Sequence, residues 1–401
     1  MNGLKKMRQN TIENDRWLAR LIMLACFMSN ISQLSFLVTA GMTQMLNMPG
    51  WILLLGYLLI TKQLYLTYQM AKPLCAMFAV IVGLLFCTLF SGGSYFNSSV
   101  FSCLSLSLFI FLMGGITGSS IMEEELQKIL WAYALSAFLV SIDIYTNYFA
   151  SGFNLSSRIY AYSSKNSVSQ VILTSIFILM FLDVNGHRVV NGLKTGIILF
   201  EIFLMALLKS RATILGFLCC LVYIVTGRQF NRKLKRRLLF AVVVGIVVLL
   251  TNNTVSEIFF NQILFAGRDV TDLDSLSSGR VSILKSFPMQ IEGHWLVGAG
   301  ALYYECFPLS VILQFGIIVG PIILGISYLP IVKCLFYKRD SMYMELFAVI
   351  CIVYAINSLF EGLAPIGPGT KCYFMWLLYG LILGQKERQW MMQEEKEEWQ
   401  V

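Results

Sequence analysis

Residues 98–118 read SSVFSCLSLSLFIFLMGGITG, without one Asp, Glu, Lys or Arg. A helix of that length rises about 30 Å, the thickness of a bilayer's hydrocarbon core. Similar stretches recur along the chain. Spans are expected at 18–40, 44–61, 73–91, 98–118, 128–150, 166–183, 191–208, 212–226, 238–251, 307–332, 343–361 and 371–384. Hydrophobic residues make up 57% of the 401 and charged residues 13%, the latter about half the usual share of a soluble domain. That composition excludes a water-soluble globular enzyme, for want of charged surface, and disorder, for excess of apolar surface. The expected fold class is all-α. It is a polytopic integral membrane protein of about twelve transmembrane helices. Residues 1–401 form a single membrane domain, with a large loop at 252–306 and a tail at 385–401 whose acidic part is solvated and disordered.

Orientation follows from Lys and Arg, which favour the cytoplasmic side. With both termini placed in the cytoplasm, 22 of the 30 basic residues fall inside. Six of them crowd the loop 227–237. The expected topology is therefore multi-pass, with an even number of crossings and both termini cytoplasmic. The basic residues are dispersed through short loops, so nucleic acid is not an expected partner. The ten cysteines include no CxxC pair and lie almost all within apolar runs, and no metal or other cofactor is expected.

The eight basic residues left outside are Arg158, Lys165, Lys209, Arg211, Arg268, Arg280, Lys285 and Lys371. Any one of them can snorkel to lipid headgroups. As a group, half of them Arg, they suit a cationic site for a phosphate-bearing substrate.

The long loop carries Ser278-Gly279-Arg280, then Glu292-Gly293-His294-Trp295-Leu296-Val297-Gly298-Ala299-Gly300, then Gln314-Phe315-Gly316-Ile317-Ile318-Val319-Gly320. Upstream stand Lys165-Asn166-Ser167-Val168-Ser169-Gln170 and Lys209-Ser210-Arg211-Ala212-Thr213. In this order the motifs resemble those of the O-antigen ligase/polymerase superfamily, most of all its Wzy-type polymerases. The resemblance covers about the C-terminal 240 residues, and the first five spans match only in hydropathy. It implies a metal-independent glycosyltransferase of GT-C-like helical fold, located in a bacterial cytoplasmic (inner) membrane. The substrate class it implies is an undecaprenyl-diphosphate-linked oligosaccharide, joined into O-antigen, capsule or exopolysaccharide on the outer face of the membrane. Membrane lipids, a flippase and a chain-length regulator are the implied partners. A ligase-type transferase is the alternative within the superfamily. A lipid-linked oligosaccharide flippase or other transporter is the alternative outside it.

The resemblance assigns Arg211 and Arg280 to the diphosphate, whose negative charge grows as the sugar leaves. The ligase branch places a basic His eleven residues before the Gly that corresponds to Gly316, and that position here is Glu305. Glu305 is therefore the expected catalytic base, with His294 its rival. Arg158, Lys165, Asn166, Lys209, His294, Tyr304 and Glu361 are expected to bind substrate, and Tyr303, Tyr304 and Trp295 to stack on sugars. Apolar residues at Val281, Leu284, Phe287 and Ile291 predict a helix inside the loop, with Pro288 kinking or shortening it and a start near Ser277–Gly279.

The sidedness has a direct test. In intact cells with accessible inner membranes, an impermeant thiol reagent is expected to label a cysteine placed at Ser275 and to leave one at Gln229 untouched. The opposite pattern would invert the topology.

Overall fold

The computed structural model describes residues 2–63, 68–91, 95, 97–153, 165–182, 188–227, 230–265, 268, 271–277, 279–300, 302–337, 341–367 and 372–398. Among them there is no strand, and the chain is an all-helical bundle. The first half runs through α1 (Asn2–Ile31), α2 (Ser35–Thr39), α3 (Thr43–Asn47), α4 (Pro49–Ile60), α5 (Tyr68–Ser91), α6 (Ser99–Gly118) and α7 (Glu123–Ala150). Next come α8 (Lys165–Phe181), α9 (Arg188–Leu207), α10 (Arg211–Thr226), α11 (Arg232–Thr251), α12 (Asn253–Glu257) and a π-helix (Ile258–Leu264). The last part is α13 (Leu273–Ser277), α14 (Arg280–Ile291), α15 (Phe307–Ser327), α16 (Leu329–Phe336), α17 (Met342–Ser358) and α18 (Tyr373–Glu398).

Among the described residues four helices are long and apolar enough to cross a membrane, by length and composition alone: α6, α7, α9 and α15. A fifth is counted if α11 and the helix after it, bent by 103°, form one span. About twelve spans were expected from hydropathy; five more of the expected stretches are apolar helices of only 10–17 residues, Met45–Ile60, Leu74–Phe90, Lys165–Phe181, Arg211–Thr226 and Met342–Ser358, and others are broken where hydropathy registers nothing. The stretch 18–40 is interrupted after Ile31, where Ser32 turns its hydroxyl back onto the Ser29 carbonyl. α2 then starts on Asp143, whose carboxylate accepts from Ser35 N–H and hydroxyl at 2.7 and 2.8 Å. The stretch 44–61 breaks at Met48, because Pro49 has no N–H to continue the ladder. The loop 252–306 is largely helical, and α18 continues to Glu398 through most of the tail expected to be disordered.

Two packing devices set the bundle. α6 and α18 run side by side in the same direction through Gly114, Gly118, Gly380 and Gly384. A Cβ on Gly114 would lie 2.6 Å from the Leu377 carbonyl oxygen, and one on Gly118 would lie 2.5 Å from that of Leu381. Small residues at four-residue spacing let two backbones touch, which is how apolar helices associate where the hydrophobic effect between them is absent. Above this seam Tyr379 stacks between Phe111 and Phe347, with ring centroids 5.0 and 5.7 Å away. A buried polar bridge ties in α1 and α7. Asn30 donates to Ser136 Oγ at 2.9 Å, and Tyr373 donates to Asn30 Oδ1 at 3.2 Å.

The second device is a fold in α15. The expected straight span 307–332 is instead a helical hairpin bent at Gly316, with φ 65° and ψ −170°. Its arms lie on each other: Gly320 faces Val311 and Ile312, and the rings of Phe307 and Tyr328 come within 6.0 Å. The break frees backbone groups, and the turn after α14 takes them up. Ala299 and Gly300 N–H donate to the carbonyls of Leu313 and Gln314 at 2.7 and 3.3 Å. Ile317 and Ile318 N–H donate to Trp295 and Leu296 at 2.9 and 3.3 Å. Gly298 (φ 80°) and Gly316 sit where a Cβ would collide with the opposing backbone.

By contrast α11, basic over most of its first turn and a half and apolar after Arg237, fully buries none of its side chains, and of its residues Leu234 and Leu238 pack partly against the core. Glu201 on α9 is fully buried: Ser175 donates to its Oε1 at 3.0 Å, and Oε2 has no partner among the described residues.

The glycine seam is testable. Gly118→Val or Gly380→Val is expected to cost about 1–3 kcal/mol or more, because the overlap is with backbone. Gly196→Val, where nothing lies within 4 Å, is expected to leave folding unchanged apart from helix propensity. Thermal aggregation followed by size-exclusion of detergent extracts measures both, and equal behaviour of the three variants would remove the seam from the fold.

Candidate functional site

The basic motifs sit at helix starts, and packing brings those starts to one end of the bundle. α8 and α10 run parallel, joined by Ser169 and Thr213 hydroxyls 2.9 Å apart. α17 runs against both. Cys220 Sγ donates to the Val349 carbonyl at 3.5 Å, and a Cβ at Gly216 would lie 3.9 Å from Val353 and from Leu173. Going back from Gly216 to Arg211 and on from Val353 to Ser358 covers equal lengths of the two helices. The first residues of α10 are therefore level with the end of α17. By the same register Val168 is level with Ser358, so Lys165 and Asn166 at the start of α8 lie at the same end of the bundle, past the last residue of α17.

Arg280 reaches this end from the loop. Its Nη2 donates to the Phe360 carbonyl at 3.0 Å and pairs with Glu305 Oε2 at 3.1 Å. Nη1 donates to the Ser277 carbonyl at 3.3 Å, and Phe360 lies under the guanidinium at 5.8 Å. The remaining donor, Nε–H, is buried with no partner among the described residues. Gly362 permits the approach of the second loop segment, because a Cβ there would strike the Tyr304 carbonyl and the Tyr303 ring. Arg280, Tyr303, Glu305 and Glu361 thus form one charged cluster. Partial burial, helped by the negative charges of Glu361 and Glu305, raises the Tyr303 phenol above its usual range, so it stays a hydrogen-bond donor at neutral pH.

The support for Arg280 is local. The loop helix expected around 281–291 is α14, and Gly279 precedes it in the left-handed region at φ 81°. Its first amides are capped from the preceding turn rather than by a Ser directly before the helix. Asp274 Oδ1 accepts from Ser282 N–H at 2.8 Å and Ser277 Oγ from Val281 N–H at 3.2 Å. These bonds to Ser282 hold the Asp274 carboxyl below its usual range, with Lys285 adding to the effect. Arg268 holds the same turn through the Ser275 carbonyl at 3.1 Å.

Not every expected site residue joins this cluster. Tyr304 is 3% exposed; its hydroxyl donates to the Ile283 carbonyl and its ring packs edge-on to Phe287 at 5.7 Å. It is part of the loop's core and offers no face to a sugar. Tyr303 and Trp295 are exposed. His294 is exposed in the turn fastened to the apex of α15, and its main chain is used by Ile291 and Gly298. Beside that turn an apolar cleft of about 500 Å³ is lined by Phe86, Phe90, Trp295, Leu296, Val297 and Ile318. Arg158 lies outside the described residues. Among the described residues no His, Cys, Asp and Glu group is placed to hold a metal ion.

Lys209 joins α9 to α10 at φ 52° and is only 5% exposed. A non-glycine residue in that region costs about 1–2 kcal/mol. Strain of this kind is kept where a side chain is needed at a fixed place.

No protein-family model and no curated protein matches this chain. The motifs and the geometry at the end of α17 carry its functional interpretation.

The strain at Lys209 is measurable. Lys209→Gly is expected to leave the melting temperature of the purified protein unchanged or to raise it, by up to the equivalent of about 1 kcal/mol. A clear fall would make the buried ammonium a part of the fold rather than of a site.

Proposed function

We propose that the chain is a polysaccharide polymerase. It transfers a growing glycan from a membrane-bound polyprenyl diphosphate to a hydroxyl of the next lipid-linked repeat unit, on the outer face of a bacterial cytoplasmic membrane. What supports this is that the starts of α8 and α10, with Lys165, Lys209 and Arg211, lie at the same end of an apolar bundle as the end of α17, where Arg280 pairs with Glu305 and bonds the Phe360 carbonyl. A GT-C-like architecture of about twelve spans belongs to the same proposal.

The chemistry needs two things. The bond from the anomeric carbon to the diphosphate oxygen breaks, and its electron pair leaves on the diphosphate. Arg211, Arg280 and Lys209 stabilise that charge, the arginines through paired N–H donors. The bond from the acceptor oxygen to the same carbon forms, and the hydroxyl proton passes to Glu305. Arg280 and Glu305 neutralise each other at rest. A partly exposed pair of this kind contributes about 0–1 kcal/mol, so a dianionic diphosphate displaces the carboxylate. Displacement frees Glu305 as a base only when donor substrate is bound. A ligase uses the same groups with a different acceptor. A flippase or other transporter is the second reading, favoured by the buried Glu201 and the broken α15, both common where ions or substrates pass through membranes.

Arg211→Ala and Arg280→Ala are expected to lower polymer output a hundredfold or more, about 3 kcal/mol, while the protein stays in the membrane. Lys at either position is expected to restore little, since it lacks the planar fork. Glu305→Gln is expected to lose most polymerisation and His294→Ala to keep most of it. Ladders of normal length from the Arg→Ala variants, in cells lacking the native copy, would remove these residues from the site. If no variant changes the polymer while Glu201→Gln abolishes repeat-unit export, the transporter reading replaces the polymerase.

A further inference from the structure

Beneath the charged mouth lies a polar layer that no step above uses. Leu173, Gly216 and Val353 form an apolar contact where α8, α10 and α17 meet. One turn toward the mouth, on the same helix faces, stand Gln170, Thr213 and Asn357. All three are buried, at 1%, 2% and 2% exposure. Thr213 is satisfied, with Ser169 and Ser210 hydroxyls each 2.9 Å away. The amides are not. Gln170 Oε1 and both Asn357 Oδ1 and Nδ2 are buried without a hydrogen-bond partner among the described residues.

Three orphaned polar atoms at one level of α8 and α17 are costly in an apolar bundle, where Leu or Met of similar size would pack without loss. They include a donor and acceptors and carry no charge. That pattern complements a hydroxyl group, which donates once and accepts twice. It does not complement a phosphate, which the layer above provides for.

Resting on the polymerase reading, we propose that Gln170 and Asn357 form a binding layer for sugar hydroxyls of the lipid-linked glycan, below the arginines that hold its diphosphate. Both amides are buried in this state, so the proposal includes an opening of the bundle at this end. A site built to bond a hydroxyl rejects a sugar that lacks it, so the layer selects the repeat unit.

The test uses Asn357→Leu and Gln170→Met in the full-length protein, given lipid-linked repeat units extracted from the host's own membranes. Each variant is expected to melt at the same temperature as the parent or higher, and to make polymer at least about tenfold more slowly. Two variants keep the test alive if one fails to insert. Undiminished polymer from both, with raised stability, means buried water only and overturns the proposal. A melting temperature well below the parent's in both means structural amides and overturns it as well. Failure of the parent itself to polymerise would instead overturn the functional reading beneath it.

Discussion

An apolar interior leaves a backbone N–H or C=O nowhere to go except to another backbone. That constraint is sharpest at Gly316. Bending α15 there exposes the carbonyls of Leu313 and Gln314 and the amides of Ile317 and Ile318, and the turn 294–300 answers all four. The glycines at 298 and 316 follow from the same bonds, since only they let two backbones meet so closely. The loop is thereby fixed to the hairpin at one end. Its other end, through Arg280 and the segment 303–305, is fixed to the end of α17. The placement of the charged cluster thus depends on backbone bonds made elsewhere in the loop.

Much of the helical content was legible from hydropathy. The stretch expected at 98–118 is α6 almost residue for residue, and the helix expected at 281–291 is α14. The breaks were not legible. Hydropathy averages over a window, and Ser32, Pro49 and Gly316 change direction within one residue while the window stays apolar. Continuity was therefore overstated at 18–40, 44–61 and 307–332. The tail erred the other way: a charged segment was expected to be disordered, yet it extends a helix already begun at Tyr373.

The site was legible as a list of residue types, and its members were sorted by features that a sequence hides. Arg280 and Glu305 meet because Gly362 lacks a side chain, a relation across 57 residues that spacing does not announce. Tyr304 was expected among the ligands for its aromatic ring, whereas alternation along 303–305 turns it inward and Tyr303 outward. Asn357 gave no signal, and Gln170 stood only as the last residue of the motif that begins at Lys165. A lone amide in an apolar run is unremarkable until its neighbours prove unable to satisfy it.

Past Leu238, α11 has little protein to fit. Its Leu, Val, Ile and Phe side chains there are mostly exposed, so exchanging one for another alters little packing. What it must keep is length and oiliness. Over evolutionary time such a helix drifts freely in letter while holding its character, whereas the glycines of α6 and α18 can hold only themselves. The two helices would thus age at different rates within one chain, one recording the membrane and the other recording the fold.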